Sequence, residues 1–207
     1  MTAFDPEYLA VAKASAPLWR ADAMEAAYDV FESLTEPTGR EEDWRYVEYD
    51  APFSRFEPVI TPSEPLPAGP FLSSVAETSG HVVIADGQVV EATSQVASVK
   101  RFSALDSAPL SNGLVPVDHN KLAAAHAAFA TDGVLIDLSA NEVMTAPLVV
   151  EIQAVTPGTA SFPHLVVKVG ENAEAQVLVV YRSAEGAELL VVPEVDLYVG
   201  NGGHLRY

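Results

Sequence analysis

The sequence predicts a mainly β chain with an N-terminal α-helical region, its back half suited to the coils of a β-solenoid. Three observations predict it. Leu18, Met24, Ala27, Tyr28, Phe31 and Leu34 include the i, i+3, i+4, i+7 steps that put one apolar stripe on a helix face. After residue 133, apolar runs of strand length recur at 134–138, 148–152, 165–169, 176–181, 189–192 and 195–199. Several lack clean in–out alternation, as strands covered on both faces do. Finally, residues 169–177 resemble residues 199–207 at an offset of thirty residues, room for two strands and two turns in each coil. An antiparallel sandwich is the other architecture that such runs would suit.

Taken in order, residues 1–36 form the helical region. A weaker helix runs from Glu7 to Ala14. The main helix enters after Ser15 and Pro17, proline being tolerated in a first turn, and Pro37-Thr38-Gly39 ends it. Residues 37–79 are a Pro-rich connector. Pro52, Pro58, Pro62, Pro65, Pro67 and Pro70 fix φ and remove donors, which argues against helix and ladder pairing alike. Within it, Asp43-Trp44-Arg45-Tyr46-Val47 is an aromatic cluster expected to dock on something larger.

Residues 80–133 read as a hairpin plus a helix leading into the core. The hairpin turns at Asp86-Gly87, a pair that readily takes the positive φ angles of a type I′ turn. The helix spans 119–130, with Asp118 as its cap, Leu122, Ala125, His126 and Phe129 on one face, and Gly133 just beyond its end. Residues 134–207 are then the opening coils. His204-Leu205-Arg206-Tyr207 reads as a strand just starting, with no closing cap, so the expectation is the front portion of a longer protein.

Composition narrows the function. A chain of 207 residues with 49% apolar and 19% charged side chains can bury a core as one domain or two small ones. Eleven Lys and Arg against 29 Asp and Glu leave a net charge of −18, which repels phosphate backbones and anionic membranes. The absence of Cys removes disulfides, thiolate metal sites and cysteine nucleophiles. Asp5 and Glu7 stand where a signal peptide would be basic, and the apolar runs are far shorter than a membrane span. The expected location is the cytoplasm.

No catalytic constellation assembles from the sequence. There is no G-x-S-x-G elbow, no G-x-x-x-x-G-K-[ST] loop and no G-x-G-x-x-G after a strand. Gly200-Asn201-Gly202-Gly203 lacks the lysine and helix of a phosphate cradle and reads as a tight turn. His119 and His126, seven apart, could share a helix face as a two-ligand metal edge, but no third ligand follows at a fixed spacing. His81 and His204 read as half-exposed strand residues, and His164 as a packed or surface imidazole. Glu171, Glu174, Glu185, Glu188, Glu194 and Asp196 fall near turns and read as a solvated acidic surface. Trp44 and Tyr46 could stack a ligand, yet anchoring the Pro-rich segment is the simpler role. Catalytic residues and metal ligands are therefore expected to be none, and cofactor-binding residues are unassigned.

A family resemblance adds to this. The segment Pro37-Thr38-Gly39-Arg40-Glu41-Glu42-Asp43-Trp44-Arg45-Tyr46 resembles the Pro…Arg/Lys-x-Glu-x-Trp-Arg/Lys-Tyr-Thr opening motif of the SufB/SufD family of iron–sulfur cluster assembly scaffolds. Further similar segments follow in the family's order: Thr131-Asp132-Gly133 with residues 134–138, Ala146-Pro147-Leu148-Val149-Val150, residues 162–173, and Gly203-His204-Leu205-Arg206-Tyr207. Pro163-His164 departs from the family's Pro-Arg, and Val47 from its Thr. The lack of Cys fits the SufD side better, since the persulfide-handling cysteine belongs to SufB.

The resemblance implies a right-handed parallel β-helix after the helical region, with a C-terminal helical segment. It implies a non-catalytic scaffold that assembles with a SufB-like paralogue and a SufC-type ABC ATPase, whose docking segment would lie outside this chain. It assigns no cofactor to this portion; an iron–sulfur cluster or flavin would belong to the full complex. The open coil implies self-association. The competing function is a β-helical carbohydrate-active enzyme or carbohydrate-binding module, which needs acids and aromatics aligned along one outward face. A standalone acidic interaction domain is the third reading.

Overall fold

The structure, a computed structural model, describes residues 3–75, 77–110 and 114–207. An N-terminal helical region precedes β-sheets of mixed pairing. Helix α1 (Pro6–Ser15) starts where Asp5 accepts a hydrogen bond from the Tyr8 amide at 2.9 Å, with Pro6 at the first helical position. A 3-10 turn at Leu18–Arg20 leads into α2 (Ala21–Ser33). Met24, Ala27, Tyr28 and Phe31 are buried as the periodicity predicts. Leu18 is not. It is 94% exposed, because the tighter 3-10 turn rotates it off the stripe of the helix that follows.

Helix α3 (Lys121–Phe129) is capped by Asn120, whose Oδ1 accepts from the Ala123 amide at 2.9 Å; the expected cap, Asp118, lies outside the first turn. The Lys121 ammonium donates to the carbonyls of Phe31 and Leu34 at 2.8 and 2.9 Å, satisfying acceptors that the end of α2 leaves open. Phe4 stands among Phe31, Phe53, Phe129 and Phe162 with ring centroids 4.9 to 6.2 Å away, joining the helices to the sheet edge beneath them.

The strands are β1 (Glu57–Pro58), β2 (Gly80–Ala85), β3 (Gln88–Ser94), β4 (Ser98–Arg101), β5 (Val134–Leu138), β6 (Leu148–Ala154), β7 (Thr159–Ser161), β8 (His164–Val169), β9 (Glu174–Ser183), β10 (Leu189–Val191), β11 (Glu194–Val199) and β12 (His204–Arg206). They form three sheets ordered β1-β7-β10, β11-β8-β5-β4 and β12-β9-β6-β2-β3. All pairings among β5 to β12 are parallel, unlike those of an antiparallel sandwich. The repeat seen in the sequence is their register. Val199 lies opposite Val169 and His204 opposite Glu174, each thirty residues earlier. Val82, Ile84, Ile136, Val150, Leu165 and Val167 belong to the apolar core these strands enclose.

One corner repeats with the strands. Asn141, Asn172 and Gly202 have φ of 64°, 52° and 66° at successive levels. Their turns are stitched vertically: the Gly170 amide donates to Leu138 O and the Gly200 amide to Val169 O, both at 2.8 Å. Gly200-Asn201-Gly202-Gly203 is thus part of this turn.

The hairpin β2–β3 is antiparallel and turns at Asp86 and Gly87 with φ of 48° and 81°, as a type I′ turn requires. The Pro-rich connector departs from expectation at β1, which pairs in parallel with β7 through a proline. Glu57 and Val59 donate to Gly158 and Ala160, both at 3.0 Å, while Pro58 occupies the alternate position whose N–H would face away from the sheet. The aromatic cluster closes on itself: Trp44 packs edge-on against Tyr49 at 5.5 Å, and Tyr46 is 88% exposed. Among the described residues, no helix is long and apolar enough to cross a membrane.

Candidate functional site

Three elements converge beneath α2. Helix α3 turns His126 toward the sheets, β8 begins at His164 and β11 begins at Glu194. The parallel register sets Glu194 beside His164, and Asp196 follows two residues on, on the same face of β11. Arg20 comes from the 3-10 turn before α2. A cavity of about 580 Å³ adjoins them, walled on its apolar side by Trp19, Ala27, Val30, Phe102 and Leu110; His164, Glu194, Asp196 and Arg20 form its polar end, with His126 behind His164 and Glu194.

The contacts define the site. His126 Nε2 lies 3.4 Å from His164 Nδ1 and 3.4 Å from Glu194 Oε2. His164 Nε2 lies 3.3 Å from Asp196 Oδ2 and 4.0 Å from Glu194 Oε1. His126 Nδ1 is 2.9 Å from the Val192 carbonyl, which can only accept, so Nδ1 carries the hydrogen. Burial holds the His126 imidazole well below its usual range; His164 and Arg20 add to this, and the Val192 bond opposes it. Neutral His126 therefore presents a bare Nε2 lone pair to the cluster.

Burial likewise raises the Glu194 carboxyl, with Asp196 adding to the effect and His164 and Arg20 opposing it. Burial lowers the Arg20 guanidinium from its usual value, and the charge of Glu194 works the other way. Asp196 Oδ1 and Arg20 Nε are buried without a hydrogen-bond partner. The ligand atoms of His126, His164 and Glu194 all lie within 4.8 Å of one another, so these three residues could hold a metal ion. They could equally share a proton.

The sequence separated what the structure joins. His119 precedes α3, stands half-exposed 3.4 Å from Asp43 Oδ2, and shares no helix face with His126. Glu194 and Asp196 are not a solvated surface; they face the helical region and are half-buried and buried. Glu171, Glu174, Glu185 and Glu188 are exposed as expected. His81 is half-buried on β2, with Nε2 2.9 Å from Glu151, while His204 on β12 is exposed. One signal could have found the cluster. Phe162-Pro163-His164 and Val192-Pro193-Glu194 are the same apolar-Pro-polar start of a strand, thirty residues apart. No protein-family model matches the chain, and neither does any curated protein.

Proposed function

We propose that the chain is a scaffold of the SufB/SufD type, built on coils of a right-handed parallel β-helix, acting in iron–sulfur cluster assembly through strand-edge contacts and without turnover of its own. The observation that carries this reading is the parallel stack at a thirty-residue rise, β7 on β10, β8 on β11 and β9 on β12. Val167, Val169, Ala175 and Val177 share one apolar core with Val195, Leu197 and Leu205 of the next level, an arrangement that supports solenoid coils. The resemblance of the motifs ordered from Pro37 to Tyr207 supports this choice of family. The reading includes a cytoplasmic SufB-like paralogue as edge partner and a SufC-type ABC ATPase joined through the assembled complex, with any cluster or flavin held by that complex.

The carbohydrate reading draws no support from the carboxylates: Glu171 lies in the turn before β9, Glu174 opens that strand, and Glu185 and Glu188 lie in the loop between β9 and β10, not in a row along one outward face. Co-expression with a SufB-like paralogue and a SufC-type ATPase from the same genome tests the scaffold reading. The expected result is an equimolar complex with the paralogue, with the ATPase retained only when the paralogue is present. Elution of the chain alone at every ratio would overturn it.

A further inference from the structure

We propose that His126, His164 and Glu194 form a binding site for one divalent first-row transition-metal ion, opening onto the cavity beneath α2. The proposal is independent of the scaffold reading. It starts from a bonding conflict. His126 Nε2 is a bare acceptor because Nδ1 is spent on the Val192 carbonyl at 2.9 Å. His164 Nε2 faces the acceptor-only Asp196 Oδ2 at 3.3 Å, so a hydrogen on Nε2 satisfies that pair and leaves His164 Nδ1 bare. The two bare nitrogens then face each other at 3.4 Å, with Glu194 Oε2 also 3.4 Å from the first. In that tautomer three acceptors converge, and a cation resolves the conflict.

The spacing suits an ion. Ligands roughly 2.0–2.2 Å from a tetrahedral metal stand roughly 3.3–3.6 Å from one another; His126 lies 3.4 Å from both His164 and Glu194, and all three ligand atoms fall within 4.8 Å. Two imidazoles and a carboxylate are the borderline donor set of zinc or ferrous iron, not the all-oxygen cage of magnesium or calcium. The outer contacts have the form that orients metal-bound histidines: Val192 O behind His126 and Asp196 behind His164. Two carboxyl groups, Glu194 and Asp196, stand against the single guanidinium of Arg20 at this end of the cavity, a balance that favours a cation. Asp196 Oδ1, buried and without a partner at the cavity's polar end, is the second independent sign of a missing cation or its water. The cavity leaves the fourth position open to water or a small ligand.

The test uses the whole chain, stripped with a chelator and titrated with Zn2+ by calorimetry in excess Mg2+, which saturates weak surface carboxylates. One Zn2+ per chain and a rise in melting temperature are expected, and Co2+ in its place should give the visible absorption of a four-coordinate centre. Glu194→Gln and His164→Gln should each weaken binding at least about tenfold, and Asp196→Asn by roughly 10–100-fold. His204→Gln, on the exposed edge, should leave binding unchanged. Because His126 is buried and its replacement could unfold α3, the wild-type stoichiometry is decisive without that variant. Absence of stoichiometric Zn2+ on the folded wild type would overturn the proposal and leave a shared proton as the resolution. Binding that survives both Glu194→Gln and His164→Gln, or that Mg2+ displaces, would overturn it too.

Discussion

Asp86 turns a hairpin and also ties two distant segments to it. Its carboxylate accepts from the Val155 amide at 2.7 Å, the Thr156 amide at 3.1 Å, the Thr156 hydroxyl at 2.7 Å and the Ser63 hydroxyl at 2.6 Å. Asp86→Ala strands two amides and puts alanine at positive φ, so a loss of roughly 3 kcal/mol is expected. Asp86→Asn keeps one acceptor oxygen and a residue at home in that turn, and should cost about half as much. Equal losses in urea unfolding would show that the carboxylate, absent from both variants, carries the effect and the turn adds nothing to it.

Glu151 gives acid its handle on the fold. The residue is buried on β6, where burial alone would raise its carboxyl, but Arg182 on β9, His81 on β2 and Gln153 on its own strand hold it below the usual glutamate value. Glu91 on β3 faces the other nitrogen of His81. A carboxyl depressed in the fold contributes stability above its unfolded value of about 4.3, and that contribution is lost as pH falls through the lower folded value. Asp132, which burial raises, runs the opposite way. The difference between wild type and Glu151→Gln isolates the effect: about 2 kcal/mol near neutrality, shrinking below about pH 4. A difference that stays constant with pH would assign the loss to packing alone. None of these partners was legible in the sequence, because Glu151, His81 and Arg182 meet only through strand register.

At the scale of elements, legibility followed locality. The buried stripe of α2 and the Asp86-Gly87 turn depend on neighbours a few residues away, and both stood in the sequence. Leu18, Asn120 and Pro58 depended on where a turn tightens, where a helix begins and which edge of a sheet a proline occupies. The passage from α3 to β5 shows the same limit. Gly133 reads as a helix stop, yet its role is to admit a ring: a Cβ there would lie 2.5 Å from Phe102 Cε2. The Phe102 amide also donates to Gly133 O at 2.8 Å, so the backbone cannot easily withdraw. Gly133→Ala should cost about 2 kcal/mol by overpacking. Combining it with Phe102→Leu should recover part of that loss in a double-mutant cycle, whereas simple additivity would mean the two positions do not meet.

For the molecule as a whole, the strand edges and the net charge act against each other. β10, β11 and β12 each stand at an edge of their sheet, offering backbone donors and acceptors to a second copy of the chain. A net charge of −18 keeps such copies apart. Raising salt from about 0.01 M to about 1 M cuts the screening length from roughly 30 to 3 Å, so sedimentation should show the average mass rising with salt. Dissociation by salt would instead mean that charge pairs hold the copies together. The edge itself can be closed by the device already present in β1. Glu194 and Gly200 donate inward to β8 residues and their flanks, so alternation turns the Val199 N–H outward. Val199 is also 48% exposed. Val199→Pro should therefore remove one outward donor while sparing the β8–β11 ladder, as Pro58 spares its own. Lower association at high salt with an unchanged melting temperature is the expected result. Association equal to wild type would move the contact away from β11 and leave the edges of β10 and β12 to carry it.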